Sequence, residues 1–402
     1  MINSNRRTLL SLLGGELLDA LIPVASAADN VHHTIVYITL NGGMDGLSAV
    51  VPYADPDYYA ARPTLAVAPP GQGVDSAIDL DGFFGLHSSL QPLKPLFDSG
   101  DFAVVHATGA PYVDRSHFHA MKRLQSGVAT EAPSYSGWLA RYLDSSKGNN
   151  ASPFLGVTIG RAQHDALLGT RAATTLRSTR GFDLRPAGAE DYAGIIGTMY
   201  APDSLLGRQT RDTLDAIATL DLYSPASYAT ENGAIYAATD LGRKLQQAAQ
   251  YIKSGIGTRV ICVNSNGWDH HRNLVGLLPV KLDELAQALA AFYQDMGAGM
   301  QDVTVLVSTE FGRRVAENAS RGTDHGRGAC LFALGGRVNG GRVFGDWPGL
   351  AEHQRHRGDL EITTDIRTIL SEALVSLLGN ADPNQVFSDL GSNYTLGVFR
   401  GI

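Results

Sequence analysis

The chain contains 402 residues, enough to bury a large hydrophobic core. Hydrophobic residues make up 44% of it and charged residues 18%, a composition that excludes an intrinsically disordered protein. The formal net charge of -8 argues against general nucleic-acid binding, which needs a basic surface. A small anionic substrate is compatible with this charge, because a bound cation can reverse the local electrostatic field.

The N-terminus has the pattern of a twin-arginine export signal over residues 1–28. The pair Arg6-Arg7 precedes an apolar stretch, and small residues follow at Ala25-Ser26-Ala27-Ala28, where cleavage could occur. Glu16 and Asp19 interrupt the apolar stretch, so an ordinary amphipathic helix is the alternative interpretation. The signal predicts a periplasmic or secreted protein. No later segment approaches the roughly 20 apolar residues of a membrane-spanning helix, so stable membrane insertion is not expected.

Short runs of apolar and β-branched residues predict buried β-strands. Five such runs occur, at residues 34–40, 103–107, 259–263, 303–308 and 330–334. Apolar residues recur at three- and four-residue steps in 281–296 and 366–378, which predicts two amphipathic helices. Continuous apolar strands that alternate with helices favour an α/β fold, with a mostly parallel central sheet and helices on both faces.

Residues 147–254 are less regular than the rest of the chain. We interpret this region as a large insertion or lid within a single α/β domain that spans residues 29–402. Candidate site residues lie on both sides of the region, so a separate domain is the weaker interpretation.

Two candidate site segments lie in the first third of the chain. Asp45 follows the first predicted strand, where it is either a metal ligand or an ordinary turn aspartate. In the second segment, Ser116 could act as a nucleophile, Arg115 could bind an anionic group, and His117 could bind a metal. The alternative is a helix N-terminus capped by Ser116 or Asp114. The two interpretations are compatible, because a helix N-terminus also favours an anion.

Two further candidate segments follow later predicted strands. Asp269 and His271 come two residues apart after the third strand, a spacing that lets both reach one ion from a tight turn. Glu310 follows the fourth strand, with Arg313 three residues further on. A surface ion pair, which contributes little stability, is the alternative interpretation of Glu310 and Arg313. At the carboxyl end of a buried strand, binding a metal or orienting a ligand is as plausible.

The last segment, Gly322-Thr323-Asp324-His325-Gly326, sets an aspartate-histidine pair between glycines. Carboxylates and imidazoles at strand ends hold the catalytic metals of many α/β hydrolases. The predicted metal ligands are Asp45, His117, Asp269, His271, Glu310, Asp324 and His325. Mixed oxygen and nitrogen ligands suit Zn²⁺, Mn²⁺ or Fe, and their number is sufficient for one or two divalent ions.

Six motifs in chain order resemble an uncharacterised family of twin-arginine-exported bacterial proteins within the alkaline phosphatase/sulfatase superfamily. The motifs are Leu40-Asn41-Gly42-Gly43-Met44-Asp45-Gly46-Leu47, Arg115-Ser116-His117-Phe118, Gly267-Trp268-Asp269-His270-His271, Thr309-Glu310-Phe311-Gly312-Arg313, Gly322-Thr323-Asp324-His325-Gly326 and Gly345-Asp346-Trp347-Pro348-Gly349-Leu350. The resemblance runs nearly end to end and implies an alkaline-phosphatase-like fold. It also implies Ser116 as the candidate nucleophile and a series of strand-end acids and ligands, namely Asp45, Asp269, His271, Glu310 and His325.

Two features depart from the superfamily pattern. Phe311 follows Glu310 where the superfamily usually has a histidine, which puts one metal site in question. Arg115-Ser116-His117 also matches no standard nucleophile motif, which puts the role of Ser116 in question.

The sequence thus predicts an exported, metal-dependent hydrolase of phosphate or sulfate esters, whose substrate is a small anionic ester. Two alternatives stay open: a non-catalytic periplasmic binding or assembly protein that keeps the fold and one metal, and a different metalloenzyme such as a peptidase or an oxidative enzyme. Fold alone does not choose between them.

Overall fold

A mixed β-sheet forms the centre of the structure, which is a computed structural model. It describes residues 33–112, 115–128, 135–146, 152–177, 228–380, 382–391 and 395–401, with a few positions between 198 and 214. The predicted export signal at residues 1–28 lies outside the described residues. In chain order, the described strands are β1 (Thr34–Asn41), β2 (Val50–Val51), β3 (Ile78–Asp79), β4 (Gly85–Leu86), β5 (Phe102–Gly109), β6 (Gly156–Ile159), β7 (Ala173–Leu176), β8 (Val260–Asn266), β9 (Val303–Thr309), β10 (Ala329–Gly335), β11 (Val343–Phe344) and β12 (Thr364–Asp365).

Nine of the described strands form the main sheet. Their spatial order is β11-β5-β10-β9-β1-β8-β6-β7, and β12 pairs with β5. The other three strands form a small antiparallel sheet in the order β2-β4-β3. The five strands predicted from the sequence are all present, as β1, β5, β8, β9 and β10.

Most strands of the main sheet run parallel, as expected, and β10 is the exception that makes the sheet mixed. β1, β6, β7, β8 and β9 run parallel, but β10 runs antiparallel to both of its neighbours, β9 and β5. No helix separates the end of β9 at Thr309 from the start of β10 at Ala329. A parallel return needs a crossover to the opposite edge of the sheet, so the chain re-enters from the edge it has just left. Every residue of β10 is buried, so its sequence lacks the hydrophobic alternation that is typical of antiparallel strands and resembles that of a parallel strand.

Helices cover both faces of the sheet, as the sequence predicts. The described α-helices are α1 (Gly46–Ala49), α2 (Pro56–Ala61), α3 (Lys94–Asp98), α4 (His117–Ser126), α5 (Trp138–Ser146), α6 (Asp240–Lys253), α7 (Leu274–Met296) and α8 (Ile366–Leu378). Helices α6 and α7 pack with Val36 and Ile38 of β1, whereas α5 and α8 pack with Ile35 and Tyr37 on the other face. None of the described helices is long and apolar enough to cross a membrane.

Both predicted helices are confirmed. The pattern at 366–378 corresponds to α8, and the pattern at 281–296 forms the last two thirds of α7. Helix α7 begins earlier, at Leu274, and contains Pro279 in its second turn.

The described parts of the irregular region 147–254 belong partly to the sheet itself. Strands β6 and β7 extend the main sheet beyond β8, and α6 packs against one face. Most of residues 178–227 lies outside the described residues, so a lid at this position stays a prediction.

The parallel strands β1, β8 and β9 deliver three loops to one edge of the sheet. Their register pairs Asn41 with Asn266 and Leu40 with Thr309, so the three strands end at nearly the same level. In parallel sheets, ligands bind beyond the carboxyl ends of the strands. The segments 42–45, 267–273 and 310–325 therefore meet at the edge where a ligand site is expected.

The buried residue His164 forms a hydrogen bond with Thr39, two residues before the end of β1. Ala166 donates its backbone N–H to His164 Nδ1 at 3.3 Å, so the proton of the neutral ring lies on Nε2 and is donated to Thr39 Oγ1 at 3.0 Å. The Thr39 hydroxyl in turn donates to Asn264 Oδ1 at 2.7 Å. Burial lowers the pKa of His164 from 6.5 to about 4, because the charged ring would lose its hydration.

We expect the folded state to lose stability as the pH falls from about 6.5 to about 4. The pKa of His164 is lower in the folded chain than in the unfolded chain, so only the unfolded chain takes up the proton in this range. Its contribution to the loss is on the order of 3 kcal/mol at pH 4. Urea unfolding of wild type and His164→Gln at pH 7 and pH 4.5 tests this. The variant should lose less stability on acidification, and an identical pH dependence would contradict the argument.

Candidate metal centre

Side chains from three separate segments converge beyond the carboxyl ends of β1, β8 and β9. His117, Asp269 and His325 each offer a ligand atom, and these atoms all lie within 4.8 Å of one another. His271 adjoins this group through two further contacts. The structure thus brings together four of the seven predicted metal ligands.

His325 presents its Nε2 atom to the centre. Its Nδ1 lies 2.7 Å from the carbonyl oxygen of Arg115, which can only accept a hydrogen bond, so Nδ1 carries the proton. The Nε2 atom of the neutral ring is therefore a bare lone pair. It lies 3.2 Å from Asp269 Oδ1 and 2.9 Å from Nε2 of His271.

His117, the first residue of α4, is oriented in the same way. Its Nδ1 lies 2.7 Å from Glu310 Oε1, and this hydrogen bond with a carboxylate raises the pKa of His117. The Nε2 atom is 3.4 Å from Asp269 Oδ2. It is hidden from solvent and has no hydrogen-bond partner among the described residues.

His271 completes the group from the loop after β8. Its Nδ1 lies 3.0 Å from Asp324 Oδ1, an oxygen that also accepts a hydrogen bond from the Asn318 amide at 3.0 Å. Its Nε2 is 3.1 Å from Asp269 Oδ1 and faces Nε2 of His325. Three imidazoles therefore each contact an oxygen acceptor through Nδ1 and turn Nε2 towards one aspartate.

This arrangement fits a cation. Two bare imidazole lone pairs repel each other and a carboxylate unless a proton or a metal ion lies between them. Ligand atoms at about 2.0–2.1 Å from a tetrahedral Zn²⁺ lie roughly 3.3 Å apart. Asp269 lies 3.1–3.4 Å from the Nε2 atoms of His271, His325 and His117, and the Nε2 atoms of His271 and His325 are 2.9 Å apart, so these four separations are close to that value. The orphaned Nε2 of His117 supports the same conclusion.

Asp269 supplies the negative charge of the centre. Although partial burial opposes ionisation, the hydrogen bond and the charge of Arg313 lower the pKa of Asp269 to about 2. The bond from Arg313 Nη2 to Asp269 Oδ1 measures 2.6 Å. The carboxyl group is 45% exposed and ionised at any physiological pH, so it can bind a cation that arrives from solvent.

Arg313 holds the loops of the centre together and does not face a substrate. Its guanidinium is buried and donates to the carbonyl oxygens of Gly43 at 2.6 Å, Thr323 at 2.7 Å, and Gly42, besides Asp269. The sequence suggested that Arg313 might bind the anionic group of a substrate. The structure shows these donors already bonded to the protein.

The segment before α4 contains two predicted site residues, Arg115 and Ser116, which lie in different environments. The Arg115 guanidinium, predicted to bind an anion, donates to the fully buried Asp359 at 2.7 Å and is 41% exposed. Ser116 is the N-cap residue of α4, as one alternative proposed, although its side chain makes no capping hydrogen bond. It directly precedes His117, so its position stays compatible with the predicted nucleophile.

Asp45 lies apart from the cluster, contrary to the expectation from chain order. One carboxylate oxygen accepts from Arg62 Nη1 at 2.8 Å and from Ser48 N at 2.9 Å, and the other accepts from Thr323 Oγ1 at 2.8 Å. Burial opposes ionisation of Asp45, but the Arg62 charge outweighs it and lowers the pKa. Asp45 is thus occupied by protein donors on both oxygens.

Glu310 also has both oxygens occupied. Oε1 accepts from the Gly42 backbone N–H at 2.8 Å and from His117, while Oε2 lies 3.0 Å from the Thr309 hydroxyl, whose single proton it shares with the Leu40 carbonyl oxygen at 2.9 Å. This carboxylate orients an imidazole, and Asp324 orients His271 in the same manner. Both acids were predicted as ligands, and the geometry gives them this supporting position instead.

Two residues of the site carried no recognisable signal in the sequence. Arg62 neutralises Asp45 from a turn 17 positions later in the chain. Asn318 binds Asp324 and, at 3.0 Å, the carbonyl oxygen of His271. Neither belongs to a periodic or glycine-flanked pattern, because each is positioned only by the folded loops.

The glycine pair after β1 permits the close packing of the site. Gly42 has φ of 129°, and a Cβ atom there would lie 2.4 Å from the Asp269 backbone nitrogen. A Cβ on Gly43, with φ of 68°, would lie 2.6 Å from the Phe311 ring. That ring lies 4.7 Å from the His325 ring, between centroids, so side chains at the glycines would displace the centre.

We expect Arg313→Lys to destabilise the fold by about 2–4 kcal/mol. Lysine cannot reproduce the planar fork, so some of the loop carbonyls would lose their donor while staying buried. Urea unfolding measures the change in the free energy of unfolding. Arg342→Lys, at an exposed arginine, is the matched control and should change it by less than about 0.5 kcal/mol. A loss below about 1 kcal/mol for Arg313→Lys would contradict its role in holding the loops.

The chain belongs to the family described as protein of unknown function (DUF1501), whose model matches residues 104–377. That match includes every residue of the cluster described above. No curated protein matches the chain significantly.

Several solved structures are weakly similar to this one. The zinc complex of the C-terminal periplasmic domain of EcEptC from Escherichia coli has 12% identity and a TM-score of 0.39, and the match covers 93% of this chain and 90% of that one. A phosphonate monoester hydrolase of Agrobacterium radiobacter has 9% identity and a TM-score of 0.34, with 85% and 73% covered. The 2-O GAG sulfatase BT1596 has 12% identity and a TM-score of 0.29, with 76% and 65% covered.

Proposed function

We propose that the protein is an exported metal-dependent hydrolase of phosphate or sulfate esters, with one divalent ion at its centre. The ion would be held by His117, Asp269 and His325, with His271 as the fourth ligand. Zn²⁺, Mn²⁺ and Fe are the ions that suit this mixed nitrogen and oxygen set.

The observation that carries the proposal is the common orientation of the three imidazoles. Each contacts an oxygen through Nδ1, and each directs Nε2 at the same carboxylate. Metal-binding histidines are characteristically oriented by such acceptors.

One ion suits the centre better than two. A second ion would need carboxylates that are free to bind it, but Asp45 is neutralised by Arg62 and Glu310 has donors on both oxygens. Phe311 also adjoins the two histidines with an apolar ring, 5.0 Å from that of His117.

The chain contributes charge, orientation and a candidate nucleophile. A divalent ion at this centre supplies Lewis-acid polarisation of the bound ester. Glu310 fixes His117 so that Nε2 stays available, and Arg313 keeps Asp269 ionised. Ser116 precedes a helix of ten residues, whose N-terminus favours an anion beside the hydroxyl. This arrangement permits two routes: attack by the Ser116 hydroxyl or attack by a water molecule.

We expect purified protein to contain about one divalent ion per chain. Asp269→Asn and His325→Gln should each weaken Zn²⁺ binding at least 100-fold, because each removes a ligand. Metal content by mass spectrometry and competition with a chromophoric chelator measure this.

Two control variants make the metal experiment specific. Asp45→Asn should lower stability but keep one ion per chain, and Asp240→Asn, at an exposed helix position, should change neither. Two ions per chain, or unchanged affinity in Asp269→Asn, would contradict the proposed centre.

We expect the metal-loaded protein to hydrolyse 4-nitrophenyl phosphate or 4-nitrophenyl sulfate, and a chelator to abolish this activity. Ser116→Ala should lower kcat at least tenfold, because it removes the nucleophile next to the centre. Initial rates across substrate concentration measure kcat and KM. Turnover that is unchanged in Ser116→Ala would assign the attack to water. Tight metal binding without turnover of either ester would favour the non-catalytic binding protein.

A further inference from the structure

The short segment 115–117 contributes to the centre in three ways, and a buried acid outside the predicted motifs contacts its first residue. His117 is a proposed ligand and Ser116 is the candidate nucleophile. The Arg115 carbonyl oxygen fixes the proton of His325 on Nδ1. We infer that Asp359 is a positioning residue of the centre, whose carboxylate fixes the Arg115 guanidinium and with it the backbone of this segment. The inference rests on the proposed function, because the residues it positions are the proposed ligands and nucleophile.

The backbone of Asp359 is held by its own hydrogen bonds. Its N–H donates to the His356 carbonyl oxygen at 3.1 Å, and its carbonyl oxygen accepts from the His356 N–H at 3.0 Å. An antiparallel bridge pairs Asp359 with Arg314. Next to it, Val315 donates its N–H to the Gly358 carbonyl oxygen at 3.2 Å. The carboxylate therefore projects from a tight turn that is bonded to the loop after β9.

This carboxylate depends on Arg115. The Asp359 side chain is fully buried, and its Oδ2 accepts from Arg115 Nη2 at 2.7 Å. Its Oδ1 has no hydrogen-bond partner among the described residues, and Arg314 Nε, at 3.7 Å, is too distant to donate one. A buried carboxylate without a donor is strongly destabilising. The contact therefore holds the Arg115 side chain in place, although that side chain is 41% exposed.

The backbone of Arg115 transmits this constraint to His325. The Arg115 carbonyl oxygen lies 2.7 Å from Nδ1 of that ring, so a displacement of the segment would break the hydrogen bond that keeps Nε2 free of a proton. Ser116 and His117 follow directly, and His117 begins α4. A ligand shifted by about 1 Å is no longer in productive geometry, so a fixed starting point for the segment matters to the centre.

Two acids divide the work of orienting the histidines. Glu310 contacts the ring of His117 directly, at 2.7 Å from Nδ1. Asp359 reaches His325 indirectly, through the side chain and then the backbone of Arg115. Loss of the Asp359 contact should therefore disturb His325 more than His117.

The positioning role differs measurably from the role that the sequence suggested for Arg115. An arginine that binds the anionic group of a substrate would change KM and leave the empty centre as it is. An arginine that fixes the backbone would change the tautomer of His325 and the affinity for a metal before any substrate binds. Protein without substrate therefore distinguishes the two roles.

Nitrogen-15 NMR of the histidine rings in the purified, metal-free chain reads the tautomer of His325. At pH 8 this ring is neutral, because burial lowers its pKa below 6.5. We expect the Nδ1–H form to exceed the Nε2–H form about tenfold in wild type and about twofold in Arg115→Met. Methionine keeps the carbonyl oxygen that contacts His325 and removes only the guanidinium. The variant His325→Gln assigns the signals.

Co²⁺ binding, followed by the visible absorbance of the ion, measures the effect on the loaded centre. Arg115→Met should weaken Co²⁺ binding about tenfold, because the loss of groups that orient ligands typically weakens metal binding by at least that factor. Asp359→Asn should weaken it less, since the amide oxygen can still accept from Arg115. The double variant should regain stability relative to Arg115→Met, because it removes the unpaired buried charge, but should keep the weak binding and the mixed tautomers.

Asp295→Asn is the matched control. Asp295 is also fully buried and paired with a cation, Lys253 at 2.8 Å. It lies near the far end of α7, about 30 Å along the helix from Leu274. This variant should lower the unfolding midpoint and leave both the His325 tautomer and the Co²⁺ affinity unchanged.

The outcomes separate this inference from the proposed function. An unchanged tautomer ratio in Arg115→Met would overturn the positioning role, as would an equal change in Asp295→Asn. A double variant that regains the wild-type ratio together with its stability would reduce Asp359 to a structural residue. A selective change of the ratio in a protein whose wild type binds no Co²⁺, or hydrolyses no ester, would uphold the positioning of His325 and sink the metal-dependent hydrolase.

Discussion

The position of the Arg313 guanidinium is the constraint on which the rest of the centre depends. It joins the loop after β1, through Gly42 and Gly43, to Asp269 after β8 and to Thr323, two residues before His325. A buried guanidinium without acceptors would be strongly destabilising, so the loops have to bring their carbonyl oxygens to it. The same group keeps Asp269 ionised, which links the folding of the loops to the chemistry of the centre.

Asp45 and Asp269 both follow the ends of parallel strands, but their carboxylates lie in different environments. Asp45 is fully buried and paired with Arg62, and its carboxylate serves the packing between α1, α2 and the Thr323 loop. Asp269 shares one oxygen with Arg313 and remains half-exposed among three imidazoles. The difference arises from burial and from the neighbouring cation, because the two residues have the same chemistry and occupy comparable positions in the sheet.

The groups that orient the histidines determine the geometry of the centre as much as the histidines themselves do. Glu310, Asp324 and the Arg115 carbonyl oxygen each fix one imidazole, and Asn318 fixes Asp324. Such contacts determine which nitrogen of each ring faces Asp269. The matching family is one of unknown function, so the proposed metal rests on this geometry of the histidines and Asp269.

The amino-acid pattern was sufficient to predict the five main strands, the helices at 281–296 and 366–378, and the loops in which the site lies. Hydrophobic periodicity is a local property, so β1, β8 and β9 and the helix at 366–378 could be predicted from their own residues. The acids and histidines after those strands could be recognised as a group because parallel strands end at one edge.

The direction of β10, the pairing of Asp45 with Arg62 and the acids that orient histidines could be read only from the folded chain. Glu310 and Asp269 look alike in the sequence, yet hydrogen bonds from Gly42 and Thr309 occupy one of them, and the other stays open to solvent. These outcomes depend on contacts between residues tens to hundreds of positions apart. Desolvation and the distance to a charged neighbour, which no local pattern encodes, set the role of each carboxylate.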